Sequence, residues 1–134
     1  MNKTGIWMDK RVAKIATLNN ETEVFSTIKS DIEEYKPKGG SGTSMKGGPQ
    51  DVVQDSKYLE REKHQFKEFF TAIAQHIKDV DELVIFGPAQ TGEKFRKELA
   101  ESHPQTFAKI TALKSADSMT DKQVKSWVRD YFSA

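Results

Sequence analysis

The sequence predicts an α/β domain in which a mixed five-stranded sheet is covered by helices. Three observations carry this expectation. Three short β-rich runs, split by turn residues, fill the first 30 positions. A long amphipathic period follows a glycine-rich stretch. The remainder then reads strand, helix, strand, helix, and a β-α-β order implies parallel strands joined by a right-handed crossover. The 134-residue length fits one domain over residues 1–134.

Residues 5–9 and 12–18 are expected as strands, with Lys10 and Arg11 at a hairpin tip between them. Asn19, Asn20 and Glu21 form the next turn signal, because asparagine tolerates positive φ. Residues 22–29 make the third strand, completing an antiparallel meander. Residues 36–50 read KPKGGSGTSMKGGPQ. Five glycines (39, 40, 42, 47, 48) and prolines 37 and 49 leave no apolar period, so a flexible loop is expected there. Lys36, Lys38 and Lys46, with no acid, give it a charge of +3.

A helix over about 52–78 is expected from Leu59, Phe66, Phe69, Phe70, Ile73 and Ile77, spaced three and four apart. The run 83–86 (Leu-Val-Ile-Phe) suits a strand buried on both faces, stopped by Gly87-Pro88. Residues 91–101 form a helix with Phe95 and Leu99 inward, ending near His103-Pro104. Residues 107–113 are the fifth strand. Thr120 and Gln123 carry a capping-box spacing that opens a last helix, with Val124, Trp127, Val128 and Tyr131 on one face.

Composition sets limits on function. The chain has 21 Lys+Arg against 20 Asp+Glu, which excludes a uniformly basic nucleic-acid binder while leaving room for a local basic patch. The absence of cysteine excludes a disulfide scaffold, thiolate zinc sites, iron–sulfur clusters and a cysteine nucleophile. No apolar run approaches the roughly 18 residues that span a bilayer, and the N-terminus lacks an apolar signal core. A cytoplasmic protein with no membrane partner is therefore expected. Neither a Walker A nor a dinucleotide-binding glycine spacing is present, and no cofactor is expected.

The loop is where chemistry concentrates. Glycine backbone N–H groups approach phosphates closely, and lysines release counterions from nucleic acid. The order of elements, the Gly47-Gly48-Pro49-Gln50 motif and the Leu83-Val84-Ile85-Phe86-Gly87-Pro88 strand and turn resemble the middle domain of archaeal and eukaryotic class-1 peptide chain release factors and their bacterial single-domain relatives. The resemblance covers most of the chain as an order of elements, and specific letters carry it at those two places. It implies a ribonuclease-H-like topology of order β-β-β-α-β-α-β-α. It also implies binding to the ribosome, to ribosomal RNA or to tRNA through Lys36, Lys38, Lys46, Gly47, Gly48, Gln50 and, on the long helix, Arg61. In that family the loop glutamine helps position the water that cleaves peptidyl-tRNA, which would be Gln50 here. The chain departs from the family at Pro49, which separates Gly48 from Gln50, fixes φ and removes an N–H. A chain of this length leaves no room for a codon-reading domain, so protein partners would supply it.

Other readings compete. Asp9 closes the first strand, where ribonuclease-H-like nucleases place a metal carboxylate. Asp81, Glu82, Glu60 and Asp130 would have to converge on it for a two-metal nuclease. No metal ligand is assigned, since exposed turn and surface acids are the commoner arrangement. A protein-interaction module whose loop orders on a partner is the third reading. His64, His76 and His103 are scattered and expected at the surface or in packing. Ser41, Thr43 and Ser44 lie in the loop with nothing to hold a base beside them. Trp7, Trp127 and Tyr131 have core spacing, whereas Tyr35, beside the loop, is the aromatic best placed to stack on a base.

Overall fold

The computed structural model of the chain describes the backbone of residues 1–20, 22–30 and 48–133, and the side chains of all of these except 48–59 and 89. The first strand, β1 (Asn2–Met8), pairs antiparallel with β2 (Val12–Asn19), which pairs antiparallel with β3 (Thr22–Lys29). Asn20, with φ 57°, takes the left-handed conformation that closes the two-residue β2–β3 turn. On the other side of β1 lie β4 (Glu82–Gly87) and β5 (Ile110–Ser115), both parallel to it. The order is β3-β2-β1-β4-β5, the mixed α/β sheet of ribonuclease-H-like topology that the sequence predicts.

Among the described residues four helices accompany the sheet: α1 (Gly48–His76), α2 (Ala89–Ser102), α3 (Pro104–Phe107) and α4 (Asp121–Ser133). Two of them differ from the sequence expectation. The long helix begins at Gly48 rather than near 52, so residues 48–50 of the expected loop form its first turn. Residues 104–107 form the one-turn helix α3, with Pro104 in its first turn, and β5 starts at Ile110 rather than 107. A proline opens a helix readily because its missing N–H has no intrahelical acceptor there.

Each face of the sheet has its own core. On one face Ile6, Met8, Ile15, Leu83 and Ile85 meet Phe66, Phe69, Phe70 and Ile73 of α1, together with Phe95 and Leu99 of α2. Phe70 bridges the two helices, with ring centroids 5.4 Å from Phe66 and 5.3 Å from Phe95. On the opposite face α4 sets Val124 and Val128 against Trp7, Ala16 and Phe86. A side chain on Gly5 would run into Val128, so glycine is what lets α4 lie close on β1. β4 is buried on both faces, as its unbroken apolar run predicts.

The capping box also forms. Thr120 N–H donates to Gln123 Oε1 at 2.9 Å, and Gln123 N–H to Thr120 Oγ1 at 3.2 Å. Lys14 reaches the same corner, donating to the Met119 carbonyl at 2.7 Å and pairing with Asp121 at 3.2 Å. Arg129 ties α4 to β3 through Glu23 at 2.6 Å, and that hydrogen bond raises the guanidinium further above its ordinary range.

Candidate nucleic-acid interface

The antiparallel meander decides where β3 ends. β3 runs antiparallel to β2, so its C-terminal end returns to the β1–β2 tip. The tip is closed by Asp9, whose Oδ1 accepts from the N–H groups of Arg11 (2.8 Å) and Val12 (3.0 Å). Ser30, just past β3, donates its N–H to the Arg11 carbonyl at 2.9 Å and its hydroxyl to the Lys10 carbonyl at 2.6 Å. Lys10 then extends to α1, with Nζ 2.6 Å from Glu62 Oε2. The hairpin tip, the exit from β3 and the middle of α1 are thereby fastened at one end of the sheet.

Residues 31–47 lie outside the described residues, and with them Tyr35, Lys36, Lys38, Ser41, Thr43, Ser44, Lys46 and Gly47. The chain is described again from Gly48, the first residue of α1, with Pro49 and Gln50 next in its opening turn. The first N–H groups of a helix have no partner within it and favour anions. At 1.5 Å per residue, Gly48 stands about 27 Å along the helix axis from Phe66, the first described core residue of α1. Arg61 lies between them and is exposed, as is Arg11 at the tip.

Sequence reasoning missed a groove beside this end. It lies between α1 and α2, encloses about 570 Å³, and has Phe66 and Phe70 on its floor. Lys63, Lys67, Lys94 and Lys97 surround it, with Lys94 Nζ 4.6 Å from the Phe66 ring centroid. Glu98 also lines it, with Oε2 buried and unbonded among the described residues. The signal was available as lysine pairs at i,i+4 and i,i+3, but only packing shows that the two helices bring them together.

The structure disperses the acids of the nuclease reading. Asp9 follows the end of β1, while Asp81 precedes the start of the parallel β4. By the strand rise these positions are about 23 Å apart. Asp9 is engaged in the turn, and Asp81 Oδ2 accepts from the Asn2 N–H at 2.7 Å. Glu82 lies 3.9 Å from Lys3. Among the described residues no group of three His, Cys, Asp or Glu side chains is placed to hold a metal ion.

The aromatics take structural places. Trp7 is buried and donates Nε1–H to the Asp117 carbonyl at 2.9 Å. Trp127 stacks on Phe86 at 3.8 Å, and Tyr131 stacks on Trp127 at 5.5 Å. His64 faces Glu68 one turn along α1, exposed, while His76 lies in the last turn of α1 and His103 joins α2 to α3. Among the described residues no helix is long and apolar enough to cross a membrane.

No protein-family model and no curated protein matches this sequence. Among solved structures, the crystal structure of the archaeal translation termination factor aRF1 aligns over 98% of this chain with a TM-score of 0.47 and 9% identity. The chain spans 39% of the length of that protein.

Proposed function

We propose that this protein acts in translation, binding the ribosome or another structured RNA through residues 36–50. The observation that supports the reading most is the attachment of that segment. β3 ends at the Lys10–Arg11 tip, and after Asp31, Glu33 and Glu34 the sequence carries the +3, acid-free run 36–50, whose last three residues are the opening turn of α1. In this reading Lys36, Lys38, Lys46 and Arg61 neutralise phosphates. Gly47 and Gly48 allow the backbone to approach RNA closely, as glycine alone does without steric cost. Lys63 and Lys67, on the turns after Arg61, extend the cationic track toward the α1–α2 groove.

Gln50 is the residue proposed to take part in peptidyl-tRNA hydrolysis, on the strength of the Gly47-Gly48-Pro49-Gln50 resemblance. Pro49 suits the second position of α1. It also makes the route to chemistry different from an uninterrupted Gly-Gly-Gln, because Gln50 stands one residue deeper in the helix. Binding and hydrolysis are therefore separable. Protein partners supplying a codon-reading function belong to the same proposal.

Ribosome co-sedimentation of the wild type and of a Lys36/Lys38/Lys46→Ala variant tests the binding reading, with a Gln50→Ala variant assayed for peptidyl-tRNA release. Wild-type protein should pellet with ribosomes and the triple variant should remain in the supernatant. Gln50→Ala should still pellet but lose release. Equal partitioning of wild type and triple variant refutes binding through the segment, and unchanged release by Gln50→Ala refutes the chemical role.

A further inference from the structure

We propose that β3 is a self-pairing edge, through which two copies of the chain join antiparallel around a twofold axis at Ser26. Prolines, central charges, bulges and short length normally prevent such pairing, and the two sheet edges differ in them. The β5 edge has six residues, and its pairing with β4 carries a register irregularity. The β3 edge has eight residues in unbroken register with β2 and no proline. Its charges, Glu23 and Lys29, sit near its two ends rather than its centre. Among the described residues nothing pairs with its outer side. Val24 on this strand is 53% exposed, one of few large apolar side chains so open.

The hydrogen-bond parity of the strand is set by Ser30, whose N–H points to the Arg11 carbonyl on the β2 side. Amides alternate along a strand. Even-numbered residues of β3 therefore bond to β2, and Glu23, Phe25, Thr27 and Lys29 turn their N–H and C=O groups outward. With the axis at Ser26, those four residues supply the ladder of the new pair, Phe25 opposite Thr27 and Glu23 opposite Lys29.

Charge complementarity selects this register and a second copy as the occupant. Glu23 faces Lys29 of the partner subunit, and the symmetry repeats the pair at the other end. Val24 meets Ile28 of the partner subunit on the α1 side. Moving the axis to Phe25 or Thr27 removes both charge pairs. Arg129 engages Glu23 through Oε1, so the ion pair on α4 and the intermolecular one share the carboxylate. The twofold would extend the five-stranded sheet into a continuous sheet of ten strands.

The chain contains no cysteine, which makes the register directly testable. Ser26 would form a non-hydrogen-bonded pair with itself, with Cα atoms about 4.5 Å apart, close enough for a disulfide. Val24 would lie four residues, or about 14 Å, from its own copy. Under mild oxidant Ser26→Cys should yield covalent dimers and Val24→Cys should not. In sedimentation analysis the wild type should show a concentration-dependent dimer. Glu23→Lys and Lys29→Glu should each be monomeric, and their equimolar mixture should dimerise again, which a variant that had merely unfolded would not do. A wild type monomeric at all concentrations overturns the proposal. So does equal cross-linking at 24 and 26, or dimerisation of either charge variant at wild-type strength.

Discussion

Gly87 shows how one residue without a side chain positions a site. It ends β4 with φ +126°, and a Cβ there would approach the Met8 carbonyl oxygen to 2.5 Å. Its own carbonyl accepts from the Ala116 N–H at 2.9 Å, so it joins β1, β4 and the chain beyond β5 at the end of the sheet that carries the hairpin tip. Gly87→Ala should cost roughly 1–3 kcal/mol, the usual penalty for a strained backbone conformation. Urea unfolding should therefore show a lower midpoint with an unchanged slope. Asp9 and Lys14 make the complementary point. Both are charged residues whose chemistry is spent on structure, Asp9 on the tip's N–H groups and Lys14 on the approach to α4.

At the scale of elements, α4 depends on a cap visible in the letters alone. Replacing Thr120 by alanine removes the acceptor for Gln123 N–H and should destabilise the protein by about 1 kcal/mol. Gln123→Ala removes the reciprocal acceptor. The double variant should cost less than the sum of the two, because both act on one motif; chemical denaturation of the four proteins checks this. Where an element had a local signal, the sequence disclosed it. The Phe66-Phe69-Phe70-Ile73-Ile77 stripe gave α1 its buried face, and the 83–86 run gave the doubly buried strand. Local signals failed at α1's start, where Gly47-Gly48-Pro49 reads as a breaker although proline is well suited to a helix's first turn. They failed again at 104–107, where a one-turn helix takes Phe107 from the expected strand 107–113 and β5 starts only at Ile110. The α1–α2 groove had no local signal, since its lysines converge only when two helices pack. Arg61 was legible as an exposed cation, whereas the Lys10–Glu62 bridge, spanning 52 residues of sequence, was not.

Over the whole molecule, the near-neutral net charge of +1 averages an ordinary charged surface with one acid-free segment. β3 ends beside Lys10 and Arg11, with Asp31, Glu33 and Glu34 between it and that segment in sequence, and α1 begins within the segment and runs on past Arg61. Neutrality elsewhere would keep binding local rather than diffuse. The salt dependence of ribosome binding measures this most directly, since each phosphate neutralised contributes roughly 0.7–0.9 to the slope of log Kobs against log salt. Loss of three lysines at 36, 38 and 46 should lower the magnitude of that slope by roughly 2–3 and weaken binding most at low salt. Equal slopes for the wild type and the triple variant would contradict the assignment of RNA binding to residues 36–50.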